Sequence, residues 1–142
     1  MDWNNIQNGI DYSRIEIAPW TDIEAYPYLL QTLCCDIGIA PISKIDFNEC
    51  RSSLKWCEYS ALKMATVATN FGPYKRDMRD GVTGLLVEEK TDWKAALSRL
   101  IEDVPYRKQL AEQAFKHCKA NYDLDYVCDE WFSAFTSVVG RN

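Results

Sequence analysis

The stretch DIGIAP (residues 36–41) is an apolar run that ends in proline. Such a run is typical of a buried parallel strand whose carboxyl end opens into a loop. A second run, ATVAT (65–69), precedes a break at NFGP (70–73), and LLV (85–87) follows the turn DGVTG (80–84). These segments predict three strands, and the alternation of IEIA (15–18) predicts a fourth, short one.

Helical patterns separate and follow these strands. A capping-box pattern from Thr21 to Glu24 predicts a helix that runs to about Leu33, and another helix is predicted from roughly Leu54 to Lys63. Three apolar faces at helical spacing predict three more helices: Trp93, Ala96, Leu97, Leu100 and Ile101; Tyr106, Leu110, Ala114 and Cys118; Leu124, Val127, Cys128, Trp131, Phe135 and Val138. The alternation predicts an α/β fold, an open parallel Rossmann-like sheet flanked by helices with a C-terminal helical segment.

Length and composition are those of one folded domain, predicted over residues 15–142 after a polar lead-in at residues 1–14. The chain has 142 residues, of which 47% are hydrophobic, so it can bury a core. The formal net charge of −5 argues against a nucleic-acid partner, which needs clustered cations. No apolar run approaches the ~20 residues that cross a bilayer, so no transmembrane segment is predicted.

The six cysteines and the polar start of the chain favour a reducing, cytoplasmic location. Residues 1–5 lack the basic and apolar features of a signal peptide, and Cys57, Cys118 and Cys128 fall on apolar helical stripes, where a free thiol acts as a small buried hydrophobe. With no CxxC and a single histidine, no metal site is predicted, and no tightly bound cofactor is expected. His117, on a charged helix, is interpreted as structural or solvent-facing.

Two loops follow the carboxyl ends of predicted strands, where open parallel sheets bind ligands. The first runs from residue 42 into the helix that starts near Leu54. Ser52 and Ser53 can cap that helix, and its free backbone N–H groups form a ready anion site. The Lys55 cation in the first turn is unfavourable beside the positive end of the helix dipole, unless a phosphate lies between the two. An ordinary serine cap with a solvent-facing lysine is the alternative interpretation.

Glu58 lies within a predicted buried stripe formed by Leu54, Cys57, Ala61, Leu62 and Ala65. A carboxylate there is costly unless it accepts hydrogen bonds, which the two hydroxyls of a ribose could donate. An ion pair with Lys55, three residues earlier, is the alternative. The sequence has no Ser-His-Asp set, Walker loop or GxGxxG, so no catalytic residue is identified.

At these residues the sequence resembles the C-terminal domain of retaining GT-B glycosyltransferases (family-four-like, glycosyl transferases group 1). The resemblance covers about residues 20–135. It is carried, in order, by DIGIAP (36–41), SLKWCEYSA (53–61), TVAT (66–69), GPY (72–74), DGVTGLLV (80–87) and the helices from Trp93 to Tyr122.

The resemblance implies half of a GT-B fold and a carbohydrate-biosynthetic transferase whose substrate is a nucleotide-diphosphate sugar. The sugar would pass to an acceptor with retention. Glu58 would hold the ribose hydroxyls, the amides around Ser53 and Leu54 would meet the diphosphate, and Lys55 would add a phosphate contact. Cleft loops carrying Cys50, Gly72, Pro73 and Tyr74 could approach the sugar.

Two departures from the family pattern concern the first loop. Cys50 stands where the family often has a glutamate beside the donor sugar, and Glu49 is out of register. Arg51, Ser52 and Ser53 replace the common glycine-rich stretch.

The resemblance also implies that the domain is incomplete at its N-terminal side. A missing N-terminal domain or a partner chain is expected, the isolated chain should be inactive or very weakly active, and the unpaired face could support a homo-oligomer. Three functions stay open: the donor-binding part of an enzyme, a non-catalytic nucleotide- or nucleotide-sugar-binding module, and an interaction domain.

Overall fold

Three parallel strands form one sheet in the order β1 (Ile37–Ala40), β2 (Ala65–Thr69) and β3 (Leu85–Val87). The computed structural model describes residues 12–139, and most of the predicted lead-in lies outside the described residues. Ile37 pairs with Ala65 and Val67 with Leu85. The predicted open parallel α/β sheet and its three main strands are therefore confirmed.

Seven α-helices accompany the sheet in the described part of the chain. They are α1 (Tyr26–Thr32), α2 (Asp46–Glu49), α3 (Leu54–Ala61), α4 (Gly72–Asp77), α5 (Lys90–Glu102), α6 (Val104–Tyr122) and α7 (Leu124–Val139), and a 3-10 turn spans Tyr12–Arg14. The chain divides into two units, Met1–Leu33 and Cys34–Asn142. The sheet and α2 to α7 belong to the second unit.

The core lies on both faces of the central strand, because β2 is buried at all five positions. Ala65 and Val67 pack with Leu100 of α5 and Leu110 of α6. Ala68 belongs to a second cluster, which includes Ala40, Trp56, Tyr74 and Cys118. Since successive side chains of a strand point to opposite faces, this division places helices on both sides of the sheet.

The first unit corrects two predictions. Residues 15–18 form no strand, and Ile15 and Ile17 are exposed, so the alternating pattern has no buried face that would stabilise one. The predicted capping box at Thr21 does not start the helix. Instead, the Ala25 N–H donates to the Asp22 carboxylate at 2.8 Å, and α1 begins at Tyr26. Pro27 explains this start, since proline is tolerated in the first turn and disrupts a helix interior.

Two short helices occupy segments predicted as loop or break. Helix α2 lies within the loop predicted from residue 42 to 53, and α4 begins directly at the predicted break. Gly72 starts α4 with φ +52°, a conformation that glycine adopts without penalty, and Pro73 occupies the first turn. The break after β2 is therefore also a helix start.

Helix α7 forms as predicted, but its apolar face is not buried. Trp131, Phe135 and Val138 are 61%, 62% and 72% exposed, and Cys128, predicted to be buried, is exposed as well. Within residues 34–139 no element covers this face. Nor does any helix in the described part of the chain have the length and apolar character needed to cross a membrane.

Candidate functional site

The start of α3 carries an uncapped set of backbone donors. Ser53 occupies the N-cap position, yet no side chain accepts a hydrogen bond there. The Ser53 hydroxyl instead donates to Asp77 Oδ2 at 2.7 Å, so the predicted serine cap is wrong. A hydroxyl forms a stronger hydrogen bond with a charged carboxylate than with a neutral backbone amide, which explains why Ser53 contacts Asp77 instead of capping the helix. No side chain therefore caps α3, and a helix N-terminus of this kind favours an anion.

Trp56 determines which face of α3 is buried. It is fully buried, and its indole N–H donates to the Thr83 carbonyl at 2.9 Å. Ser60, one turn later, is also fully buried, whereas Leu54 is 58% exposed. The predicted buried stripe is therefore wrong at Leu54 and Ala61, which are exposed, although Ala65 at its end is buried. Burying the largest apolar side chain turns Leu54 outward.

Glu58 makes the ion pair that was one of the two interpretations of its position. Lys55 Nζ lies 3.0 Å from Glu58 Oε2, and the two side chains are 47% and 20% exposed. The pair links successive turns of α3 on the side of the helix that does not face the core. A partly exposed pair of this kind is worth little, typically under about 1 kcal/mol.

A cavity of about 330 Å³ opens where β1 ends and α3 begins. It brings together four of the predicted site residues: Ser52, Leu54 and Lys55 around the start of α3, and Tyr74 from α4. Its other lining residues are Ile39, Ala40, Pro41, Ile42, Arg51 and Tyr59. The carboxyl end of β1 is thus the concave, ligand-sized place that the parallel sheet predicted.

The charge of this first cavity is positive. Arg51 and Lys55 line it together, and both act on the Tyr74 phenol. Burial raises the pKa of Tyr74, while the Arg51 and Lys55 cations lower it and Glu58 raises it. Tyr74 therefore stays a neutral hydroxyl near two cations, an arrangement that suits an anionic ligand.

A second cavity, of about 460 Å³, lies between α3 and α6, and Glu58 lines it. Leu54 lines both cavities, so they adjoin at the start of α3. The other lining residues are Cys57, Ala61, Phe115, Cys118, Lys119, Tyr122 and Asp123. The predicted phosphate residues and the predicted ribose carboxylate thus line neighbouring cavities.

The remaining candidate loop residues do not line either cavity. Cys50 is exposed at the end of α2, whereas Gly72 and Pro73 are buried. A Cβ at Gly72 would lie 2.8 Å from the Asn48 carbonyl oxygen, so Gly72 allows α4 to pack against α2. Of the GPY segment, only Tyr74 reaches the first cavity.

Helix α4 also holds the loop that presents Arg51. Arg76 donates from Nε to Asp77 Oδ1 at 3.2 Å and from Nη2 to the Arg51 carbonyl at 3.3 Å. Asp77 meanwhile accepts from Ser53, so one carboxylate ties α4 to the start of α3. Sequence reasoning missed Tyr59 as a lining residue, although its position four residues after Lys55 places it on the same helix face.

His117 has a structural setting, as its sequence context predicted. Its ring lies 5.7 Å from that of Trp56 and 6.5 Å from that of Tyr122, centroid to centroid. Burial lowers the pKa of His117, the Arg79 cation lowers it further, and Asp77 raises it. Among residues 12–139, no group of three or more His, Cys, Asp or Glu side chains is arranged to hold a metal ion.

Comparison with known proteins finds a curated sequence relative. No protein-family model matches the chain. The D-inositol 3-phosphate glycosyltransferase of Stackebrandtia nassauensis is 31% identical over 109 residues, which cover 75% of this chain and 23% of that protein. The chain therefore spans about a quarter of the length of that relative.

Solved structures share the fold. The C-terminal domain of a glycosyl transferase group 1 family protein (LpcC) from Francisella tularensis is 26% identical with a TM-score of 0.60, covering 76% of this chain and 53% of that one. A sucrose-phosphate synthase from Thermosynechococcus elongatus has a TM-score of 0.76 at 15% identity, covering 92% and 31%. A glycosyltransferase from Rickettsia africae has a TM-score of 0.59 at 18% identity, covering 85% and 31%.

Proposed function

As a relative of the C-terminal domain of group 1 glycosyltransferases, this chain has half of a GT-B fold, and we propose that it binds the nucleotide-sugar donor of such an enzyme. The observation that carries the proposal is the first cavity. There, the uncapped start of α3 and the cations Arg51 and Lys55 meet at the carboxyl end of a parallel strand.

The diphosphate of the donor is assigned to the first cavity. Leu54 and Lys55 belong to the first turn of α3, which no side chain caps and where the helix dipole favours an anion. Arg51 supplies a planar, bidentate donor and Lys55 a point charge, and both are partners that phosphate oxygens accept. Tyr74, which also lines the cavity, contributes a neutral hydroxyl.

The ribose is assigned to Glu58, across Leu54 from the diphosphate. In the structure Glu58 pairs with Lys55, so donor binding would exchange this contact. Lys55 would turn to a phosphate, and the Glu58 carboxylate would accept from the ribose hydroxyls. The exchange is favourable because the partly exposed pair is worth under about 1 kcal/mol, whereas hydrogen bonds to a charged group are worth about 1.5–3 kcal/mol.

Catalysis of sugar transfer, with retention, would need groups beyond the residues that line the two cavities. Arg51, Lys55 and the α3 amides would stabilise the leaving diphosphate electrostatically, which is this domain's share of the reaction. The chain covers 23% of its curated relative, so we expect the acceptor site on an N-terminal domain or a partner chain. The 142 residues alone should bind the donor with little or no turnover.

Calorimetric titration of the pure chain with three matched ligands tests the proposal: a nucleoside, its monophosphate and its diphosphate. We expect affinity to rise at least about 10-fold from nucleoside to diphosphate, because each phosphate adds charge-assisted contacts. Added salt should weaken binding of the diphosphate more than binding of the other two ligands. Equal affinity for nucleoside and diphosphate, or no binding at millimolar concentration, would contradict a donor site.

Incubation with nucleotide sugars separates binding from turnover. Release of free sugar or transfer to an added acceptor by the pure chain would overturn the expectation of little or no activity. Failure to bind any nucleotide, together with a mass that rises with protein concentration in light scattering, would instead favour an interaction domain.

A further inference from the structure

Two of the six cysteines face each other across helices α3 and α6. Cys57 lies on α3 and is half-buried, and Cys118 lies on α6 and is 7% exposed. The two helices pack together, and both cysteines line the second cavity. Cys57 also packs against the buried cluster to which Cys118 belongs, and each thiol shifts the pKa of the other. The other four cysteines are all exposed.

The surroundings make the two sulfurs unequal. The neighbouring Cys57 thiol lowers the pKa of Cys118, burial raises it and the buried Ser60 hydroxyl lowers it. The Cys118 thiol in turn raises the pKa of Cys57, and burial raises it further. Cys118 is therefore the more acidic of the two thiols. Reactive dithiols divide in the same way into an attacking and a resolving sulfur.

The geometry also permits a covalent bond. A disulfide requires Cα atoms within about 7 Å of each other, a spacing that residues on two packed helices can reach. The cavity of about 460 Å³ that both cysteines line gives a small oxidant access to the sulfurs. The sulfurs lie on two different helices, so a bond between them would join α3 to α6.

We propose that Cys57 and Cys118 form an oxidisable dithiol, which a small peroxide converts to an intrachain disulfide that links α3 to α6. The Cys118 thiolate attacks one peroxide oxygen, the O–O bond breaks, and the departing hydroxide takes up a proton to leave as water. The resulting Cys118 sulfenic acid is attacked by the Cys57 sulfur, whose proton leaves with the sulfenic oxygen as a second water. In total, two thiols and one hydrogen peroxide give one disulfide and two waters.

The two cysteines line the same cavity as Glu58, but their oxidation requires no nucleotide. The disulfide would close a loop of roughly 60 residues, and such closure stabilises a chain chiefly by restricting its unfolded state. Oxidation should therefore raise the melting temperature by about 10 °C, and a thiol reductant should reverse the rise.

Peptide mapping of the full chain tests the proposal. After exposure to hydrogen peroxide, free thiols are blocked with maleimide and the chain is cut with trypsin under non-reducing conditions. Cleavage after lysine and arginine places Cys57 in residues 56–63, Cys118 in residues 117–119 and the exposed Cys50 in residues 45–51. We expect one cross-linked species joining the first two peptides, lighter by two hydrogens than their sum and absent after reduction.

Matched variants complete the experiment. Cys118→Ser and Cys57→Ser preserve size and should each abolish the cross-linked species and the rise in melting temperature. If instead both Cys57 and Cys118 take maleimide in a sample whose Cys50 is already oxidised, the proposal is wrong. It is equally wrong if both sulfurs gain oxygen without cross-linking, or if the melting temperature of the oxidised wild-type chain rises as much in Cys118→Ser.

Discussion

Lys55 and Glu58 hold each other at the start of α3, with Lys55 Nζ 3.0 Å from Glu58 Oε2. Lys55 lines the cavity at the end of β1, and Glu58 lines the cavity against α6. The pair therefore bridges the two places that we assign to the diphosphate and the ribose. Because neither side chain is fully buried, a ligand can replace each partner at low cost.

Lys55→Met removes the cation and keeps most of the side chain's length. We expect it to weaken binding of a nucleoside diphosphate about 10-fold at low salt, because one charge-assisted phosphate contact is lost. The remaining affinity should also depend less on salt. Calorimetric titration at two salt concentrations measures both effects. Lys63→Met, which removes an exposed lysine paired with Glu112, is the control and should leave affinity unchanged. Unchanged affinity in Lys55→Met would remove Lys55 from the site.

Trp56 should dominate the stability of the segment that carries the site. Trp56→Ala should cost about 3–5 kcal/mol of unfolding free energy through loss of a fully buried side chain. Trp56→Phe should cost about 1–3 kcal/mol, because the Thr83 carbonyl loses its donor. Urea denaturation measures both values. Trp131→Phe, at a tryptophan that is 61% exposed, should stay within about 0.5 kcal/mol of the wild-type chain.

Gly72→Ala should destabilise the fold by about 1–3 kcal/mol. The residue has φ +52°, and an added Cβ would meet the Asn48 carbonyl oxygen at 2.8 Å. Gly81→Ala is the matched control, since Gly81 has φ +70° but its Cβ would meet only the Tyr106 hydroxyl, at an ordinary 3.8 Å. The difference between the two variants in urea denaturation isolates the close approach of α4 to α2. Equal losses would show that Gly72 is needed for its φ alone.

His117 should make stability fall in mild acid. Its pKa in the folded chain lies below the ordinary value of 6.5, chiefly because burial disfavours the charged ring. The unfolded chain therefore binds the proton more readily, so this contribution is present above pH 6.5 and is lost as the pH falls through the folded pKa. Urea midpoints at about pH 7.5 and pH 5.5 measure the loss. His117→Gln should show a smaller decrease than the wild-type chain, and an identical decrease would exclude His117 as the cause.

Local sequence patterns predicted the elements that dominate the sheet. The run DIGIAP and the run ATVAT became β1 and β2 because each is apolar, short and bounded by turn-formers. The same reasoning failed at residues 15–18, where alternation exists without a buried face. The spacing of apolar residues shows which side chains could lie on one face of a strand. Whether that face is buried depends on another element that packs against it, which the spacing does not reveal.

The candidate site shows the same limit at single residues. A serine before a helix predicts a cap, but Asp77, 24 residues further along the chain, competes for the Ser53 hydroxyl. No local sequence pattern indicates a hydrogen-bond partner so far along the chain. The buried face of α3 was mispredicted because the predicted stripe included Leu54 and Cys57 but not Trp56, whose size decides the orientation. The same limit applies to helix α7, because its amphipathic pattern predicts a helix but not which element covers its apolar face.

The most direct test of the donor site compares a nucleoside diphosphate with its 2′-deoxy analogue on the wild-type chain and on Glu58→Ala. If the Glu58 carboxylate accepts from the ribose, removing one hydroxyl should weaken wild-type binding about 10-fold, the value of one hydrogen bond to a charged group. Glu58→Ala should bind both ligands equally, while the control Glu112→Ala, which removes an exposed carboxylate paired with two lysines, should retain the wild-type preference. A preference for the ribonucleotide that persists in Glu58→Ala, or that is absent from the wild-type chain, would contradict the assignment of the ribose to Glu58.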